Sequence, residues 1–158
     1  MKGLALYLCM GAVLLGGCSA TARLYPVQGP LAAQNPPPVF VGKLSDGLHS
    51  GTLKVSLDNG EVFQGRWAQV ERPAKSNNGV TAGAANTLAT EWDTVYGPGF
   101  YVAHVLGSRL YAKSELTGSH GSVLYAELYK PDKGDEQSIS SIKGVAKDDK
   151  GNIYKIAF

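Results

Sequence analysis

Cysteine is nearly missing from this 158-residue chain, which has only Cys9, inside an apolar run, and Cys18 at the end of that run. Neither has a partner spacing that suits a disulfide framework, a redox pair or a thiolate metal site. An excess of one charge is also missing. Fifteen basic residues face thirteen acidic ones for a net charge of +2, with no basic run, which argues against nucleic acid and against electrostatic membrane docking. The one long apolar run, Leu4 to Leu15, is too short to cross a bilayer as a helix. Catalytic signatures are absent as well: there is no G-x-S-x-G elbow, no P-loop and no H-E-x-x-H. The three histidines, His49, His104 and His120, pair neither with cysteine nor with one another at ligand spacing. His49-Ser50-Gly51 and His120-Gly121-Ser122 both precede apolar strands and read as two turns built alike, while His104 alternates with Phe100, Val102 and Leu106. Glu91 and Asp93 lie too close in sequence to be assigned as a glycosidase pair. The expectation is a non-catalytic protein without metal or cofactor.

What is present begins at the N-terminus. Lys2, the apolar run and then small residues have the layout of a secretory signal. Leu15-Gly16-Gly17-Cys18 resembles the lipobox of bacterial lipoproteins. That resemblance implies removal of residues 1–17, a thioether-linked diacylglycerol on Cys18, and acylation of the amine that cleavage exposes. A thiol suits this role because it becomes a strong nucleophile near neutral pH. Each buried methylene adds about 0.8 kcal/mol, so a multiply acylated Cys18 is held at the membrane almost permanently. Ser19, rather than Asp, follows Cys18; the same resemblance then implies the outer membrane, facing the periplasm, rather than the inner one.

Residues 18–38 read as the acylated N-terminus and a proline-rich tether. Positions 24–42 carry no charge, and Pro36-Pro37-Pro38 fixes three φ angles and removes three donors. Extended, such a segment lifts a domain some tens of ångströms off a bilayer. The apolar Leu24, Tyr25, Val27 and Leu31 leave open a segment lying along the domain's edge.

From Val39 the apolar residues recur mostly with period two, the signature of strands. Leu53, Val55 and Leu57 share one face; Asn59-Gly60 then predicts a two-residue type I′ turn, and Phe63, Gly65 and Trp67 continue on the return strand. Further strands are expected at 39–44, 100–106, 109–116, 123–129, 139–147 and 153–158. The expected fold is all-β, a small antiparallel sandwich or barrel of about eight short strands forming a single domain over 39–158. Residues 72–99 break the rhythm and read as a long loop, with at most one helical turn across 84–88. Trp92 and Tyr96 make it the candidate partner contact, unless they cover one end of the core.

The alternation of Tyr154, Ile156 and Phe158 is similar to the closing strand of outer-membrane barrels, but Lys54, Lys113, Glu115, Lys143 and Lys155 give water-facing surfaces. In size and class the chain is also similar to small β-barrel lipoproteins that inhibit lysozyme. The function expected is a lipid-anchored envelope protein whose β domain binds another envelope protein or cell-wall glycan. The alternative is a hydrolase or metal-dependent enzyme whose residues meet only in three dimensions.

Overall fold

The computed structural model describes residues 19–45, 49–70, 88–106, 110–131 and 139–158. Residues 1–17, Cys18 and most of the expected long loop lie outside them. The eight strands are β1 (Ser19–Gln28), β2 (Phe40–Ser45), β3 (Ser50–Ser56), β4 (Val62–Gln69), β5 (Leu110–Gly118), β6 (Val123–Tyr129), β7 (Lys143–Asp148) and β8 (Ile153–Ala157). Each pairs antiparallel with the next, and β1 also pairs with β8, so the sheet closes as an up-and-down barrel. Closure removes the two edges that an open sheet of this length would expose.

The barrel is filled rather than hollow. Along every strand alternate residues point inward, and bulky Leu24, Phe40, Leu53, Phe63, Trp67, Leu124 and Tyr154 share the interior with Ala22, Ala112, Ala126 and Ala146. Small residues are needed because eight strands enclose a lumen only just wide enough for side chains. At Gly144 a Cβ would stand 2.6 Å from Leu128 Cδ2 and 2.9 Å from Ile156 Cβ, so a bare backbone is what lets those two residues meet. A pocket enclosed among Ala22, Leu24, Leu53, Leu124 and Ile156 holds about 10 Å³, no more than the smallest space that holds a water.

Three strand connections at one end share a single construction. Leu57 N–H donates to Glu61 O and Gly60 N–H to Leu57 O; the same pair of bonds recurs over 118–122 and over 148–152. In each, the fourth residue is a glycine in the left-handed region, with φ +83° at Gly60. The Asn59-Gly60 turn is therefore a three-residue loop closed by a glycine bulge, not the expected two-residue type I′ turn. Asn59 decides this by bending its Oδ1 back to accept from Glu61 N–H at 3.0 Å.

Two other expectations are corrected. Residues 19–28 are no tether: Ala22, Leu24 and Pro26 face the core, and the strand fills the gap between β2 and β8. Pro26 is tolerated because the register to β8 shifts between Pro26 and Gln28, where a missing N–H costs little. The proline-rich stretch after it folds back over the barrel end, with Leu31 N–H donating to Asn152 Oδ1 at 2.9 Å. Residues 100–106, expected as a strand, instead form a π-helical turn, Tyr101–Val105, after a helix α1 (Ala89–Tyr96) that lies within the expected loop. Trp92, Tyr96, Phe100 and His104 recur every fourth residue and stack in sequence at 5.5, 4.7 and 4.5 Å. That ladder packs against Tyr129 and Val145 on the barrel's outer wall.

Candidate functional site

The two ends of the barrel differ. One end carries the start of β1 and the last residues of β2, β4 and β6. The other carries the three glycine turns and the folded-back stretch 29–39. At this second end lies a cavity of about 380 Å³. Its lining joins apolar Pro30, Leu31, Pro38, Phe40 and Leu57 with polar Gln34, Asp58, Asn59, Glu61, Asp148, Lys150 and Asn152.

The polar lining follows from the repeated turn. The residue after each turn glycine begins the return strand and points inward, and in all three turns it is polar and buried: Glu61, Ser122 and Asn152. Asp148 organises one half of this layer. Its Oδ2 accepts from Tyr154 Oη–H at 2.7 Å and from Asn152 Nδ2 at 2.8 Å, while its Oδ1 accepts the backbone N–H groups of Lys150 and Asn152. Burial, reinforced by the bond to Asp148, pushes the Tyr154 hydroxyl far above its usual range, so it stays a donor.

Glu61 supplies the other half and is 0 % exposed. Its Oε2 meets Lys150 Nζ at 3.0 Å, whereas Oε1 is buried without a hydrogen bond among the described residues. Burial alone would raise the Glu61 carboxyl. The Ser122 hydroxyl beside it, the Lys150 bond, and the Lys150 and His120 charges together outweigh that and hold it below its ordinary value of 4.5. Glu61 is thus a carboxylate at neutral pH, with one oxygen unsatisfied. Lys150 is raised in turn, first by its bond to Glu61, and its side chain is 54 % exposed. The cavity therefore has apolar lining, a hydrogen-bonded Asp148 layer and one ion pair whose cation reaches in from solvent.

The residues singled out in the sequence stand elsewhere. Trp92 is 0 % exposed, buried against the outer wall of β6 and β7 with its indole N–H donating to Glu127 Oε2 at 2.9 Å, so it offers no surface to a partner. Tyr96 is half-buried beside it, its hydroxyl on the Gly144 backbone and its pKa pushed by burial to about 12. Both cover the barrel's side, not its end. Glu91 pairs with Lys147 at 2.7 Å, and Asp93 accepts the Gly99 and Tyr101 N–H groups, so these two acids do not face each other across a cleft. His49 lies at the β1 end, bonded to Gln69, His120 lies in the 118–122 turn at the other end, and His104 is on the outer wall. The structure does not bring the three together, and no group of three metal-ligating side chains occurs among the described residues. Cys18 lies outside those residues.

Sequence reasoning missed Glu61, Asp148, Lys150 and Asn152. A signal was present in the recurrence of Asp-Asn-Gly-Glu, Ser-His-Gly-Ser and Asp-Lys-Gly-Asn before apolar strands, each ending on the residue that the turn delivers to the barrel end. No family model matches the chain, and neither does any curated protein or solved structure.

Proposed function

We propose that this is an exported, lipid-anchored envelope protein without catalytic activity, whose barrel binds a small amphiphilic molecule in its open end. The cavity carries the reading. The barrel end opens into about 380 Å³, within the 300–1,000 Å³ typical of small-molecule sites, lined by apolar and polar side chains together as such sites are. The unsatisfied Glu61 oxygen adds a reason for occupancy, since a buried carboxylate oxygen without a donor carries a desolvation cost that a ligand N–H or O–H relieves.

The anchor reading rests on Leu15-Gly16-Gly17-Cys18. Because β1 starts at Ser19, a lipid on Cys18 leaves no spacer, and the barrel sits on the bilayer. Ten residues of tilted strand separate Ser19 from Gln28, so the open end lies about 25 Å further along the barrel. A water-soluble ligand enters there without crossing lipid.

Native mass spectrometry of the protein released from its own envelope tests both halves in one measurement. The wild type is expected to carry diacylglycerol and a further acyl chain on Cys18 together with a non-covalent small adduct. Cys18→Ser removes the first mass only. Leu31→Trp, which fills the cavity from its apolar lining, removes the second only. A wild-type spectrum free of adduct, or an adduct retained at full level by Leu31→Trp, refutes the binding reading; an unmodified Cys18 refutes the anchor.

A further inference from the structure

The charges that look scattered along the sequence are gathered by the barrel onto one wall. On β1 to β4 the outward residues are Arg23, Lys43, Lys54 and Arg66 among Ser, Thr, Gln, Val, Ala and Tyr, with no acid at any outward position of those four strands. All four cations are exposed, and none has an ion-pair partner among the described residues. They are contiguous. Lys43 is directly opposite Lys54; Arg23 is opposite Val41, one diagonal from Lys43; Arg66 is opposite Thr52, one diagonal from Lys54. Three strand spacings of about 4.8 Å and a stagger of four residues along the strands set Arg23 and Arg66 about 20 Å apart, with Lys43 and Lys54 between them.

The Lys43–Lys54 pair is costly to the fold by itself. Side chains directly opposite in an antiparallel pair are about 5 Å apart at Cβ, and like charges there repel. The opposite wall, around β6 to β8, is covered by α1 and the π-helical turn, so the barrel has one clothed side and one bare, basic side. Val41, 45 % exposed, stands among the cations on that bare side.

We infer that the β1–β4 wall docks on anionic lipid headgroups, laying the barrel against the bilayer to which Cys18 anchors it. For its geometry this rests on the anchor reading, because β1, the strand that starts next to Cys18, belongs to the basic wall. Lys43 is opposite Thr21, two residues past Ser19, so the cluster begins at the anchored end of the barrel. A cation near an anionic membrane contributes about 1 kcal/mol, or about fivefold in partitioning; Arg23, Lys43 and Lys54 act together, while Arg66, whose register on β5 sets the exposed Glu115 opposite it, adds less. Docked in this way, the barrel presents its open end sideways, parallel to the membrane surface, and the helical bracket faces away from the bilayer.

The test uses vesicles of pure phosphatidylcholine and of phosphatidylcholine mixed with phosphatidylglycerol. The protein is the chain from residue 18, which contains every strand of the barrel, carrying Cys18→Ser. Because this form has no lipid, the result is independent of whether Cys18 is acylated in cells. It is expected to co-sediment with the phosphatidylglycerol vesicles alone and to be released by salt. Lys43→Gln with Lys54→Gln weakens binding by about 30-fold, fivefold for each cation, while Lys130→Gln with Lys143→Gln, an equal charge change off this wall, leaves it unchanged. Lys54→Glu separates docking from folding: it replaces a like-charge pair by an attractive one, so the melting temperature rises as vesicle binding falls. Equal loss from both double variants, binding to pure phosphatidylcholine of the same strength, or binding to soluble polyglutamate but not to vesicles overturns the proposal.

Discussion

Replacing Trp92 by Phe removes one donor from the outer wall and leaves the aromatic stack largely in place. The indole N–H is bonded at 2.9 Å to a carboxylate that is itself buried, and a hydrogen bond to a charged group of this kind contributes about 1.5–3 kcal/mol. A phenyl ring still packs against Tyr96 and Phe100, whose centroids lie 5.5 and 5.9 Å from the indole, but vacates the space of the outer part of the indole, which adds about 1 kcal/mol. The expected loss is about 2.5–4 kcal/mol, or about 10–16 °C in melting temperature at about 4 °C per kcal/mol for a domain of this size. Circular dichroism is the suitable probe, since the substitution removes one of only two tryptophans.

The pH dependence sharpens this prediction. Burial holds the Glu127 carboxyl above its ordinary value of 4.5, against the Trp92 bond and the Lys113 charge, which pull it down, with Glu91 pushing it up. A raised carboxyl binds its proton more tightly in the folded state, so its contribution is most favourable below 4.5 and declines as pH rises through the folded value. Losing the Trp92 donor raises that value further and steepens the decline. Trp92→Phe must therefore cost more at neutral pH than below 4.5, and less in a Glu127→Gln background by about 1 kcal/mol. The same cost at both pH values and in both backgrounds refutes the electrostatic account and leaves only ring packing.

Two further outcomes concern the open end. Asn152→Ala removes both the acceptor for Leu31 N–H and a donor to Asp148; a loss of about 1–3 kcal/mol and faster hydrogen exchange at Leu31 are expected, and unchanged exchange there denies that Asn152 pins the proline-rich cap. Glu61 has the opposite sign to Glu127: its lowered pKa gives stability that is present above 4.5 and is lost as pH falls through its folded value. Glu61→Gln is therefore expected to flatten the acid limb of the stability curve, whereas Glu127→Gln flattens the decline of stability with rising pH; acid limbs that superimpose for wild type and Glu61→Gln show that the Lys150 pair does not favour the ionised form.

The strands that pair locally were the legible part of the fold. Leu53, Val55, Phe63 and Trp67 alternate around a turn residue whose conformational preference is strong, and that hairpin forms in the expected place. The errors share a cause. Phe100 to Leu106 satisfies a period of two, but Trp92, Tyr96, Phe100 and His104 satisfy a period of four across Gly97-Pro98-Gly99, and which pattern wins depends on the wall available to bury it. Residues 19–28 look like a spacer because of their neighbours' prolines; they become a strand because β8 and β2 each leave a row of backbone groups that only another strand can satisfy.

The sequence by itself determined the all-β class, the strand periodicity, the turn glycines, and the pattern on which an anchor at Cys18 is argued. Those properties depend on residues that are neighbours along the chain. Barrel closure, the cavity beneath the folded-back prolines, the pairing of Glu61 with Lys150, and the gathering of Arg23, Lys43, Lys54 and Arg66 on one wall were decided only in three dimensions. Antiparallel register sets which distant residues become neighbours, and a near-zero net charge carries no information about how that register distributes its signs.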